Sequence, residues 1–374
     1  MKVKVDKKIL FFVVCFFIIS LISIYCAAVY TSKDLGNLVI KQLIWYGVGF
    51  LFVFFIIKLG NDFLYRNSWW LYIIGIFLLI LLLIFGIPIN NSKCWFVIPG
   101  LGSVQPSEFV KIFIMLVLSD LICDFRNKYV APRLYDEFVF IIKTLFVILI
   151  PALLTFLQPD TGAVIIYLVI YIFMMFISGI RLRWFLFAFL ILGILVGIVG
   201  GIYFINETLF IKIFGTSFYY RIERLFMWRD GVGLQLENAI SAIGSSGLFG
   251  HGFNNTPIYF PEAATDFIFA VYASNFGLCG VFILISLFIL FDWYIISLIK
   301  KKNISKNKYI LSGVLGMLLF QQIQNIGMTV GLLPITGITL PFISYGGSSL
   351  LSYMIIIGII INISSSKAKR FKYK

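Results

Sequence analysis

The sequence predicts an all-α polytopic membrane protein with about ten transmembrane helices and a large extracytoplasmic loop between the seventh and eighth. Three observations predict it. Of 374 residues, 61% are hydrophobic and 12% charged, with a mean hydropathy of +1.03; in soluble domains only about half are apolar. Apolar runs of roughly 18 residues or more recur along the chain, and they are continuous where a membrane barrel would alternate. The net charge of +14 is also sorted by loop. The expected cytoplasmic segments hold twenty Lys and Arg and the opposite face seven, as the positive-inside rule requires. That sorting accounts for the charge without nucleic acid as a partner. A single integral membrane domain over 1–374 is expected, with 206–266 as an extracytoplasmic active-site loop.

The spans are expected near 9–30, 43–59, 69–89, 106–122, 138–157, 161–178, 184–205, 267–293, 309–332 and 348–363. The first follows Lys2, Lys4, Lys7 and Lys8, as a signal peptide would. It is too long for an h-region and no small-x-small site follows, so a retained helix is expected. An even number of spans with the N-terminus inside puts both termini in the cytoplasm. The basic tail Lys367–Lys374 then suits anionic lipid. Cys15, Cys26, Cys94, Cys123 and Cys279 have no metal or disulfide spacing, and no role is assigned to them.

Four outer segments carry the unusual chemistry. Residues 90–108 are broken by prolines and glycines, and Pro106 suits the first turn of the next helix. Glu108 and Lys111 stack on one helical face at a spacing of three. They are a structural ion pair or a grip on a polar headgroup. In Gln158-Pro-Asp-Thr-Gly162, Asp160 is either a helix cap or a substrate or ion contact. The large loop opens with Tyr219–Arg229, an amphipathic interfacial helix whose Arg221 and Arg224 share a face and suit an anionic group. Its glycine-dense Gly244–Gly252 offers backbone N–H groups, a weak phosphate signal. His251, the only histidine, cannot make a metal site alone. The loop closes on Thr265-Asp266. Either residue could cap the next helix, but a carboxylate at the membrane surface under an apolar roof also suits a general base with a raised pKa. The fourth segment, Asn325–Ser349, contains two prolines, Pro334 and Pro341, and includes Ser344. Broken backbone at membrane depth is tolerated where protein or water covers it, so this segment is expected to line a cavity.

Gln105-Pro-Ser-Glu108, Gln158-Pro-Asp-Thr-Gly162, Pro261-Glu-x-x-Thr-Asp-Phe-Ile-Phe269 and Gly331-Leu-Leu-Pro-x-Thr-Gly-x-x-Leu-Pro-Phe-Ile-Ser-Tyr-Gly-Gly-Ser-Ser349 resemble the SEDS (shape, elongation, division and sporulation) family, from about Lys93 onward. The Asn325-Ile-Gly-Met-Thr-Val-Gly stretch is more like the RodA branch than FtsW or SpoVE. The resemblance implies a peptidoglycan glycosyltransferase of the bacterial cytoplasmic membrane. Such an enzyme polymerises lipid II on the outer face for cell elongation and shape, beside a class B penicillin-binding protein. Asp266 matches the family's essential aspartate, and Glu108 and Lys111 its Gln-Pro-Ser-Glu glutamate and the following lysine. The chain departs from the family pattern at Ala264, at Ser274 and Asn275, at Lys93-Cys94 and at Gly244–Gly247.

Asp266 is thus the expected catalytic base. Arg221, Arg224, Lys93 and Lys111 are candidates to hold the pyrophosphate, and Trp95, Glu108, Asp160 and Ser344 complete the substrate-binding set. A divalent cation is compatible with the chemistry, but no ligand cluster demands one. Two other classes compete. A flippase for lipid-linked precursors explains the broken spans, although the polar residues gather on one face. A non-catalytic scaffold for a penicillin-binding protein accommodates the departures.

Overall fold

The computed structural model describes residues 6–28, 35–86, 93–98, 102–227, 234–302 and 305–365, and their side chains except at 35–37, 98, 102, 217, 221 and 224–227. Fourteen helices and one short hairpin are found among them. In chain order these are α1 (Lys7–Ala28), α2 (Leu35–Leu59), α3 (Asn61–Arg66), α4 (Ser68–Phe85), strands β1 (Phe96–Ile98) and β2 (Gly102–Val104), α5 (Pro106–Lys128), α6 (Leu134–Leu157), α7 (Thr161–Ser178) and α8 (Leu182–Ile205). There follow α9 (Glu207–Phe214), α10 (Thr216–Met227), α11 (Leu234–Gly244), α12 (Ile268–Lys300), α13 (Lys306–Thr329) and α14 (Gly347–Ser365).

Nine of these helices are long and apolar enough to cross a membrane among the described residues. The tenth expected span is α5, 23 residues long, whose apolarity is diluted by Glu108, Lys111, Asp120 and Asp124. The first three of these charges are buried, because α5 is central and packs on α4, α7, α13 and α14. A helix surrounded by helices can carry ions that a lipid-facing one cannot. At the other extreme, α8 buries none of its residues. Helix α2 starts eight residues before the expected span, since Lys41 and Gln42 interrupt the apolar run without ending the helix. Gln42 is buried and donates to Ser20 Oγ (3.2 Å).

The long break between α13 and α14 is satisfied by side chains from elsewhere. Tyr46 Oη donates to the carbonyl of Phe342 (2.7 Å), Ser20 Oγ to that of Ile343 (2.9 Å) and Gln42 Nε2 to that of Ser344 (3.4 Å). Gln324 Nε2 and Asn325 Nδ2 of α13 donate to the carbonyls of Pro334 and Ile338. Buried non-helical backbone needs such partners. Phe342 holds a left-handed φ of +66°, a strained position for a bulky residue, locked by stacking on Phe16 with ring centroids 5.0 Å apart.

Helix α12 is also broken. Gly277 has φ +61° and ψ −161°, open only to glycine. The freed amides of Leu278 and Cys279 donate to the carbonyls of Gly247 and Leu248 (3.1 and 3.0 Å). In return His251 and Gly252 donate their amides to Ser274 and Asn275 (2.9 and 3.1 Å). A Cβ on Gly277 would sit 2.3 Å from the Gly250 nitrogen, so the two chains can interlock only as glycines.

Candidate functional site

The site is assembled around the turn that enters α12. Three consecutive carbonyls of that turn are held from across the molecule. Tyr345 N donates to Ala264 O (2.8 Å), Ser344 Oγ to Thr265 O (2.7 Å) and Asn325 Nδ2 to Asp266 O (2.8 Å). Ser344 Oγ in turn accepts from Leu340 N (2.8 Å), so one hydroxyl ties the turn to the broken segment. The Asp266 backbone is therefore fixed from two sides, by the end of α13 and by the segment before α14.

The Asp266 carboxylate is not tied down. Among the described residues no donor reaches either of its oxygens, and Gly337 lies close by, where an added Cβ would stand 3.6 Å from Oδ2. The side chain is half-buried. Desolvation by the surrounding protein, with the negative charge of Glu262, pushes its carboxyl from the ordinary 3.8 up to about 7. Thr265 Oγ1 meanwhile donates to Glu262 Oε2 (2.7 Å). A fixed backbone, an open carboxylate and a pKa near neutrality are what a general base needs.

A second polar cluster lies alongside. Asp160 caps α7, its Oδ1 accepting from Ala163 N (3.0 Å). Its Oδ2 accepts from Gln105 Nε2 (2.7 Å) and Ser107 Oγ (3.2 Å). Burial raises its carboxyl above the usual range against the pull of these donors. The β1–β2 hairpin, paired Phe96 to Val104, delivers Gln105, whose amide donates to Ser348 Oγ (2.9 Å). Below, Lys111 Nζ lies 2.7 Å from Glu108 Oε2 and 5.5 Å from the Tyr353 ring centre, fully enclosed. Ser352 Oγ donates to the same glutamate oxygen (3.2 Å) and Gln321 Nε2 to Tyr353 Oη (2.9 Å).

The two clusters meet along residues 336–338. A Cβ on Gly162 would stand 3.2 Å from the Thr336 carbonyl oxygen and 3.1 Å from Ile338 Cγ1, while Gly337 faces Asp266. Thus the broken segment, which carries Ser344, passes between the Asp266 turn and the start of α7 that Asp160 caps, while Glu108 and Lys111 pack on α14 beyond it. Lys93 is exposed and Trp95 half-buried just before β1. Arg221 and Arg224 fall within α10, but their side chains lie outside the described residues. The backbone amides of His251 and Gly252 are engaged with α12 and not open to an anion; His251 Nδ1 also lies 2.9 Å from the Ser274 carbonyl oxygen. No group of three or more His, Cys, Asp or Glu that could hold a metal occurs among the described residues. Gln105, Asn325, Gln321 and Ser348 were missed by sequence reasoning; Asn325 and Gln321, uncharged polar residues inside an apolar run, were the available signal.

The family described as "Cell cycle protein" (FtsW/RodA/SpoVE) matches residues 7–369. The chain is 32% identical over 363 residues to stage V sporulation protein E of Bacillus subtilis, covering 92% of this chain and 93% of the relative. It is 33% identical over 340 residues to a protein of Coxiella burnetii named probable peptidoglycan glycosyltransferase FtsW, covering 87% and 86%. Among solved structures, it is similar to a chain from work titled "Structural coordination of polymerization and crosslinking by a peptidoglycan synthase complex", with TM-score 0.79, 25% identity and coverage of 98% and 99%. It is also similar to the rod shape determining protein RodA of Thermus thermophilus, with TM-score 0.69, 26% identity and coverage of 97% of each chain.

Proposed function

The chain belongs to the FtsW/RodA/SpoVE family of multi-pass membrane proteins, and from that premise we propose that it is a peptidoglycan glycosyltransferase that polymerises lipid II. The observation that carries the reading is the Asp266 carboxylate, fixed through its backbone, free of internal donors and tuned to about 7. The 4-hydroxyl of the acceptor sugar attacks the anomeric carbon of the lipid-linked donor. Its proton passes to Asp266 as the new C–O bond forms. The bond from that carbon to the pyrophosphate oxygen breaks with its electron pair, inverting the centre. A positioned base contributes about 100- to 10,000-fold. Cations at the departing pyrophosphate contribute by electrostatic preorganisation, and Arg221, Arg224 and Lys93 are the candidates.

The name of the C. burnetii relative supports the reaction class. The structural likeness to a complex of polymerisation and crosslinking supports a class B penicillin-binding protein as partner. The Asn325–Gly331 stretch and the likeness to RodA support an elongation role. With basic loops inside, both termini are cytoplasmic and Asp266 faces outward. The test is incubation of the purified full chain, alone and with its partner, with labelled lipid II, followed by gel separation of the products. Glycan strands are expected. Their absence in every combination, with translocation of lipid II in liposomes instead, would replace the enzyme by a transporter.

A further inference from the structure

A slot between α4, α5 and α6 stands apart from the Asp266 site. Pro151 lies inside α6, and proline displaces the carbonyl four residues earlier, which is Val147. Tyr72 of α4 donates its hydroxyl to that carbonyl (2.9 Å). Beside this join lies a cavity of about 340 Å³, walled by Trp69, Tyr72, Leu121, Phe146 and Val147. Trp69 and Phe146 are exposed, so the slot faces the surrounding bilayer.

Its one charged lining residue is Lys143. This lysine has neither an ion pair nor a hydrogen bond among the described residues. It lies nine residues into α6, roughly 13 Å along the axis. Ions inside a span normally pair with one another, and this exposed one lines an apolar groove. Helical side chains lean toward the helix N-terminus, which brings the ammonium back toward the end of α6 where Trp69, second residue of α4, also lies. Tryptophan favours the headgroup boundary. The slot therefore offers a cation near headgroup level and hydrocarbon walls further in. Free phosphate has no use for such walls. The shape and charge match one molecule that has both parts.

We propose that this slot is a specific site for an anionic phospholipid, its phosphate on Lys143 and an acyl chain along Tyr72, Phe146 and Val147. By the distribution of basic loops the lipid belongs to the inner leaflet, where anionic headgroups attract lysine.

The test is native mass spectrometry of the full chain released from mixed micelles holding equal phosphatidylglycerol and phosphatidylcholine. Wild type is expected to retain one phosphatidylglycerol in preference by about fivefold, the gain expected from one lysine near a phosphate. Lys143→Leu should abolish the preference and Lys143→Arg should keep it. Equal retention of both lipids by wild type overturns the proposal without requiring any variant to fold. Preference undiminished in Lys143→Leu overturns it as well.

Discussion

Replacing Asn325 by leucine removes a clamp without touching the carboxylate it positions. Asn325 Nδ2 is shared between the Asp266 carbonyl (2.8 Å) and the Ile338 carbonyl (2.7 Å), and its side chain is wholly buried. Leucine fills similar volume but donates nothing. Leaving a buried acceptor unsatisfied costs about 1–3 kcal/mol, so two such carbonyls cost roughly 2–6 kcal/mol. Much of that strain is relieved by letting the Asp266 turn move. A displacement of about 1 Å at a reacting group costs on the order of 100-fold in rate. The assay is kcat for lipid II polymerisation, read beside the apparent melting temperature in detergent. Both are expected to fall, with KM little changed, because the clamp acts through the base and not through the substrate. Wild-type kcat in a destabilised Asn325→Leu protein would refute the idea that this side chain positions Asp266.

Two further expectations follow, one from each polar cluster. Turnover should rise with pH through about 7 and level above it, because the base works only when ionised; a profile flat from 5 to 8 would remove Asp266 from that role. Lys111→Met should destabilise the protein by about 3–5 kcal/mol, since it leaves Glu108 charged and enclosed. The double variant with Glu108→Gln should recover most of that loss, measured by thermal unfolding in detergent.

Much of the bundle was legible because lipid imposes one rule on every span. Helices α4, α6, α7 and α8 lie within a few residues of the positions read from hydropathy. The broken segment before α14 was legible for a different reason, since prolines at 334 and 341 forbid a plain helix. Gly277 was not legible. Glycine is ordinary in membrane helices, and its break exists because residues 247–252 reach in from a distant loop to take the freed amides. The hairpin at Phe96 escaped for want of length, as three-residue strands carry no usable alternation. At the site, the sequence singled out the carboxylate and its turn, but the clamp from Asn325 and Ser344 depends on contacts 59 and 79 residues apart. Local pattern cannot reveal pairings at that separation.

Stability separates a base from a structural carboxylate. The rise of the Asp266 carboxyl from 3.8 to about 7 means that the folded protein disfavours its charged form. That penalty is absent below pH 4, grows as pH climbs, and reaches at most roughly 4 kcal/mol above 7 before solvent screening. Asp266→Asn removes it and should unfold at no lower temperature than wild type at pH 8.

The most direct measurement is the single-turnover rate of lipid II consumption by Asp266→Asn and wild type, each bound to the same partner at pH 8. A fall of at least about 100-fold with a melting temperature no lower than that of wild type is expected. A rate within about threefold of wild type, far less than a positioned base contributes, would contradict the assignment of Asp266 as the group that takes the acceptor proton.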